Sequence, residues 1–181
     1  MKAIAFAAYS GAGKTTLLER IIAQLRARGL SVSTVKHAHH DVDIDIPGKD
    51  SWRHRQAGAS EVLLVCDRRL ALVREFGQVQ DLDVHAMLAE LDPAVDWVLV
   101  EGFKQGGLPK IEIWRQPEAG TPARPLRFPG DPLVLALATD DPGALPQQPP
   151  ASLPVLDVNQ PAAIVDWMLA HAADFEYTAP H

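Results

Sequence analysis

The chain has 181 residues, 47% of them hydrophobic, and its 17 basic against 23 acidic side chains leave a net charge of −6. That length buries one full α/β core, so a single domain over 1–181 is expected, and the acidic balance offers no overall basic field to nucleic acid or an anionic membrane. A lone cysteine, Cys66, excludes an internal disulfide and fits a reducing compartment, and no stretch reaches the roughly 18 apolar residues of a membrane span, which implies a soluble, cytoplasmic protein.

The apolar run 3–8 reads as a strand and 15–28 as a helix, with Leu17, Leu18, Ile21, Ile22 and Leu25 at helical spacing and Gly29 closing it. Between them lies Ala8-Tyr9-Ser10-Gly11-Ala12-Gly13-Lys14-Thr15-Thr16. A glycine turn feeding a helix N-terminus aims backbone N–H groups and the positive end of the helix dipole at phosphate. Residues Ser10, Gly11, Ala12, Gly13, Lys14, Thr15 and Thr16 therefore form a phosphate cradle. In it Lys14 reaches the β and γ phosphates and the Thr15 hydroxyl ligates Mg²⁺. The usual pattern has glycine where this chain has Ala8; a positive φ there would strain the loop, whereas an alanine that only ends the strand costs nothing.

A second strand at 32–35 makes a right-handed βαβ unit, and residues 36–51 follow with the densest set of ionisable groups in the chain. Lys36 and His37 are expected to face the nucleotide. Val42, Ile44 and Ile46 alternate with Asp41, Asp43 and Asp45, so an extended segment puts carboxylates on one face, either as a solvated edge or, with His37, His39 and His40, toward a metal-bearing anion. Irregular spacing and the lack of cysteine partners argue against structural zinc. After the Pro47-Gly48 turn, Asp50 or Ser51 caps a short helix through Gln56; Asp50 is alternatively a catalytic group behind the Mg²⁺ or a positioner of water.

Residues 61–66 and 70–76 read as a β-hairpin joined by Asp67-Arg68-Arg69, with Cys66 expected to be a buried thiol and the exposed edge a subunit contact. A helix at 81–91 turns Leu82, Met87, Leu88 and Leu91 inward. The continuous apolar run 97–100 is a buried parallel strand ending at Glu101-Gly102, which brings Glu101 out beside the phosphate loop as the Mg²⁺ ligand or water-positioning acid. A strand at 110–115, a loop or mobile flap at 117–132 and a strand at 133–138 come next. Asp140, at that last strand's tip, is placed to accept from a base, but no intact [NT]-K-x-D motif appears and base identity is unread. A proline-rich connector at 142–154 leads to a strand at 155–158, a last helix capped by Asn159, and a frayed tail after Ala173.

Together the phosphate loop, Lys36-His37-Ala38-His39-His40-Asp41, Pro47-Gly48-Lys49-Asp50-Ser51, Ala57-Gly58-Ala59 and Val100-Glu101-Gly102-Phe103-Lys104 resemble the molybdopterin-guanine dinucleotide biosynthesis adaptor (MobB) family over about residues 3–140. The resemblance implies a P-loop NTPase-type, mainly parallel sheet flanked by helices with an added hairpin. It also implies a GTP-binding homodimer of weak, Mg²⁺-dependent GTPase activity. Such a protein assists the guanylyltransferase that joins GMP to molybdenum-loaded molybdopterin, and the His/Asp stretch then meets the pterin cofactor or the partner enzyme. Two other readings stay open on the residues: a small-molecule kinase with Arg115, Arg124 and Arg127 in a lid, and a nucleotide-dependent scaffold that does no chemistry.

Overall fold

The computed structural model describes residues 1–38, 42–118, 120–122 and 124–180, so His39, His40 and Asp41 of the histidine-rich stretch lie outside the described residues. The chain falls into two compact units, Met1–His37 with Asp83–His181, and Ala38–Leu82.

In the larger unit, strand β1 (Lys2–Ala8) is buried almost throughout and helix α1 (Lys14–Ala27) follows the glycine turn. Alternation explains the all-apolar strand. Ile4, Phe6 and Ala8 face α1, while Ala3 and Ala5 face the opposite layer, so both sides of the pleat need apolar side chains. α1 buries Leu17, Leu18, Ile21 and Leu25, each contributing roughly 1.5–3 kcal/mol. It stops at Gly29 (φ 80°), where the amides of Gly29 and Leu30 donate to the carbonyls of Arg26 and Leu25, the double bond of a Schellman turn.

Strands β2 (Val32–Lys36), β5 (Trp97–Glu101), β6 (Lys110–Ile113), β7 (Val134–Thr139) and β8 (Val155–Asp157) complete a six-stranded, wholly parallel sheet in the order β2-β5-β1-β6-β7-β8. The chain winds away from β1 in both directions, which makes the carboxyl end of β1 the switch point of the sheet. Helix α4 (Pro161–Ala170) packs beside α1, and the short helix α3 (Val84–Ala89) covers the other face. No side chain caps α4; its N-cap is Gln160 rather than Asn159. Met87 is half-buried, and Val84 and Leu88 are the residues of α3 that reach the core. The segment after Ala173 is pinned rather than frayed: Phe175 is fully buried with its ring 5.6 Å from that of Trp97, and Glu176 forms a bridge and a 2.9 Å ion pair with Lys2.

Within the expected flap, residues 124–128 are also tied down. Buried Glu112 accepts the amides of Arg127 (2.7 Å) and Phe128 (2.9 Å), and the Trp114 indole donates to the Arg124 carbonyl at 2.8 Å. Burial pushes the Glu112 carboxyl upward, against these two amides and Arg127, which pull it down.

The smaller unit holds helix α2 (Asp50–Gln56) and the antiparallel hairpin of β3 (Glu61–Cys66) and β4 (Arg69–Arg74), with Asp67-Arg68 as the two-residue turn. Cys66 is exposed, not buried, because its strand has one neighbour and no layer over it here. Residues 42–44 form no strand, and Val42, Ile44 and Ile46 are all exposed. What organises this stretch is Arg55, which reaches Asp43 at 2.9 Å, Asp45 at 3.4 Å and Glu75 at 2.6 Å, while Ser51 donates to Asp45 at 2.8 Å.

Candidate functional site

The site is assembled where β1 ends. Ala8 closes the strand opposite Ile113, and among the described residues Phe103 is the single non-glycine with positive φ, so Ala8 carries no strain. Gly11 (φ 76°) and Gly13 (φ 77°) supply the left-handed corners of the turn. Gly13 is also the N-cap of α1 and has no side chain with which to cap it. The first-turn amides of Lys14, Thr15 and Thr16 thus have no intrahelical acceptor, at the positive end of the helix dipole. Ser10, Gly11 and Thr16 are exposed and Ala12 is buried as the turn's anchor.

Glu101 comes from the tip of β5, in register with Phe6 of β1 on one side and Lys36 of β2 on the other. Its side chain is 15% exposed and gathers three of the residues singled out above: the Thr15 hydroxyl donates to Oε1 at 3.3 Å, Lys14 Nζ lies 3.7 Å from Oε1, and Lys36 Nζ 3.8 Å from Oε2. A hydroxyl and a carboxylate in contact are the hard oxygen donors Mg²⁺ takes, and the lysines beside them suit phosphate oxygens, so the donor set fits a magnesium nucleotide.

The corner beyond Glu101 is built without slack. The His37 amide donates to the Glu101 carbonyl at 2.8 Å, and its ring stacks on Phe103 at 4.6 Å. A Cβ on Gly102 (φ 98°) would stand 2.8 Å from His37 Cβ and 3.0 Å from its carbonyl oxygen, so only glycine fits, and Phe103 accepts a φ of 45° to complete the turn.

One side chain of the site was expected in another role, as a lid arginine of the kinase reading. Arg115 is not part of a flexible lid: it follows β6, and its Nη1 stands 2.9 Å from the place a Cβ would take on Gly13. Its Nε makes a 3.2 Å ion pair with Asp140 at the tip of β7, out of line for a hydrogen bond although that nitrogen is buried. Asp140 therefore reaches the loop's vicinity through Arg115. The one signal was a cation just past an apolar strand, and its meaning depends on β6 lying next to β1. Asp50 belongs to the smaller unit, where it opens α2 behind the N-cap Lys49 and makes no capping bond.

An all-parallel sheet whose central strand runs into a glycine turn and a helix N-terminus, with an acid from the next strand tip on that helix's first hydroxyl, is the P-loop NTPase-type fold with a hairpin added. The family model described as molybdopterin guanine dinucleotide synthesis protein B matches residues 3–140. The chain belongs to that family. It is 38% identical over 167 residues to the molybdopterin-guanine dinucleotide biosynthesis adapter protein of Escherichia coli, covering 92% of this chain and 90% of that one. To the adapter protein of Haemophilus influenzae it is 42% identical over 161 residues, covering 88% and 83%. The crystal structure of Bacillus subtilis MobB shares the fold with a TM-score of 0.69 at 23% identity, covering 98% of this chain and all of that one.

Proposed function

We propose that this protein is a GTP-binding adaptor for the nucleotidyltransferase that converts molybdenum-molybdopterin to its guanine dinucleotide form, and that it hydrolyses GTP slowly with Mg²⁺. The observation that carries the nucleotide half is the meeting of Lys14, Thr15 and Lys36 on Glu101. Mg²⁺, when bound, would offset the charge of the phosphates. Gly11 and Gly13 bring backbone amides up to the phosphates, Lys14 supplies a point charge, and Thr15 with Glu101 holds the metal side. Glu101 is engaged by three neighbours, which fits it to hold an ion rather than to take a proton from water, in keeping with slow turnover. The relatives' names support the adaptor half. Dimerisation through the hairpin is supported by Leu63, Leu64, Val65, Leu70 and Leu72, all exposed.

Equilibrium dialysis of GTP and ATP, with and without Mg²⁺, tests this reading. GTP should bind more tightly than ATP, more tightly with the metal, and about 100-fold more weakly to Lys14→Ala, the loss of one or two charge-assisted hydrogen bonds. Unchanged GTP affinity in Lys14→Ala would refute the nucleotide half.

A further inference from the structure

We infer that the larger unit carries a second anion site beside the phosphate loop, formed by Lys104 and Arg127 next to the ring of Tyr9, and that it takes the phosphomonoester of a ring compound. The inference rests on the proposal that the loop itself holds the nucleotide, and gives the adaptor a place for its other ligand.

A cleft of about 460 Å³ opens beside Tyr9, the first residue after β1, in the size range of small-molecule sites. Lys104, Lys110 and Arg127 line it, with Pro125, Leu126 and Leu133 as an apolar wall. A narrower cavity of about 50 Å³, also lined by Tyr9, Lys104 and Arg127, runs in toward Ala7, Ala8 and Glu112.

The charges around this cleft do not cancel. Both oxygens of Glu112 are taken by the amides of Arg127 and Phe128. Asp131 accepts from buried Lys110 at 2.8 Å and from the Leu133 amide at 3.1 Å. Lys110 also donates to the Lys104 carbonyl at 3.3 Å, so two of its three N–H groups hold the wall together. The side chains of Lys104 and Arg127 remain: among the described residues neither has a carboxylate at ion-pair distance, and Arg127 makes only a 3.5 Å contact with the Lys104 carbonyl. Partial burial and the charges of Lys14 and Arg127 lower the Lys104 pKa, the mark of an ammonium among like charges that an anion would relieve.

Glu112 and Asp131 lie nearby and feel the charge of Arg127, but both are held by other partners, and the three cations outnumber them. An ammonium and a guanidinium left with that surplus suit a phosphate. Lys104 Nζ lies 5.8 Å from the Tyr9 ring centroid, and Tyr9 is 39% exposed, which leaves aromatic surface for a planar ring.

The test uses flavin mononucleotide, a ring compound with one phosphomonoester, and riboflavin, the same ring without it. Flavin fluorescence is followed on the whole protein, first without nucleotide and then saturated with a slowly hydrolysed GTP analogue and Mg²⁺. One equivalent of flavin mononucleotide should bind in both states, with riboflavin at least about tenfold weaker. Lys104→Gln and Arg127→Gln should each weaken it by about tenfold, while changing GTP affinity by less than about threefold. Arg127→Gln keeps the backbone amide that Glu112 holds, and unchanged circular dichroism melts guard against misfolding. No saturable binding, equal binding of riboflavin, indifference to both substitutions, or one-for-one displacement by GTP would each overturn the inference. Flavin mononucleotide binding to a protein that binds no GTP would instead overturn the nucleotide proposal and leave the second site standing.

Discussion

Strand β5 of the larger unit and strand β3 of the smaller are made of the same aliphatic residues, yet Val98, Leu99 and Val100 are at most 1% exposed, while Leu63, Leu64 and Val65 stand at 58%, 44% and 74%. β5 has a strand on each side and packed layers above and below; β3 has β4 alone. Because Leu63 and Leu64 are consecutive and point to opposite faces, the hairpin leaves apolar surface bare on both. A two-stranded hairpin is marginal by itself, so the same residue type that holds the larger unit together is free in the smaller one to hold something else.

The contrast breaks first at stability. Leu99→Ala should cost about 2–5 kcal/mol in urea unfolding, and Leu63→Ala under about 1 kcal/mol at a protein concentration low enough to remove association. Equal costs would mean that the hairpin is as well packed as the sheet. Next in size is self-association: replacing cross-strand partners Leu63 and Leu72 by serine should weaken a dimer at least about tenfold in sedimentation equilibrium, with no effect if the hairpin contacts nothing.

Gly13→Ala should cost about 1–2 kcal/mol, since φ 77° disfavours a Cβ and Arg115 Nη1 must give way. Adding Arg115→Ala should recover only the steric part, as thermal melts of the two variants and their combination would show. The smallest effect concerns acid. The Asp43 carboxyl is held below its ordinary value by the Asp45 amide and then by Arg55. Its stabilising share is thus present above about pH 4 and is lost as pH falls through the depressed value. Asp43→Asn should therefore narrow the gap between urea midpoints measured at about pH 6 and about pH 3.

The sheet was legible because parallel strands buried on both faces need unbroken apolar runs, as at Ala3 to Ala8 and Trp97 to Val100. The loop was legible because glycine, lysine and threonine hold fixed spacings there, and Glu101 because strand tips gather at a switch point. Arg115 and Lys104 were not, since their meaning lies in which strands are neighbours, and nothing local states that. Cys66 was misread for the opposite reason: an apolar run implies burial only where a layer exists to cover it. The Asp43–Asp45 stretch suggested a strand by alternation, but one arginine twelve residues from Asp43 organises its carboxylates more strongly than any ladder does.

The last turn of the chain folds back on the first strand: the Tyr177 amide donates to the Met1 carbonyl at 3.1 Å, and Lys2 meets Glu176. Affinity handles fused at the two termini would emerge at one corner of the molecule. A donor and acceptor dye placed there would report, by energy transfer, the release of this seam and the uncovering of Trp97 well before the sheet itself comes apart.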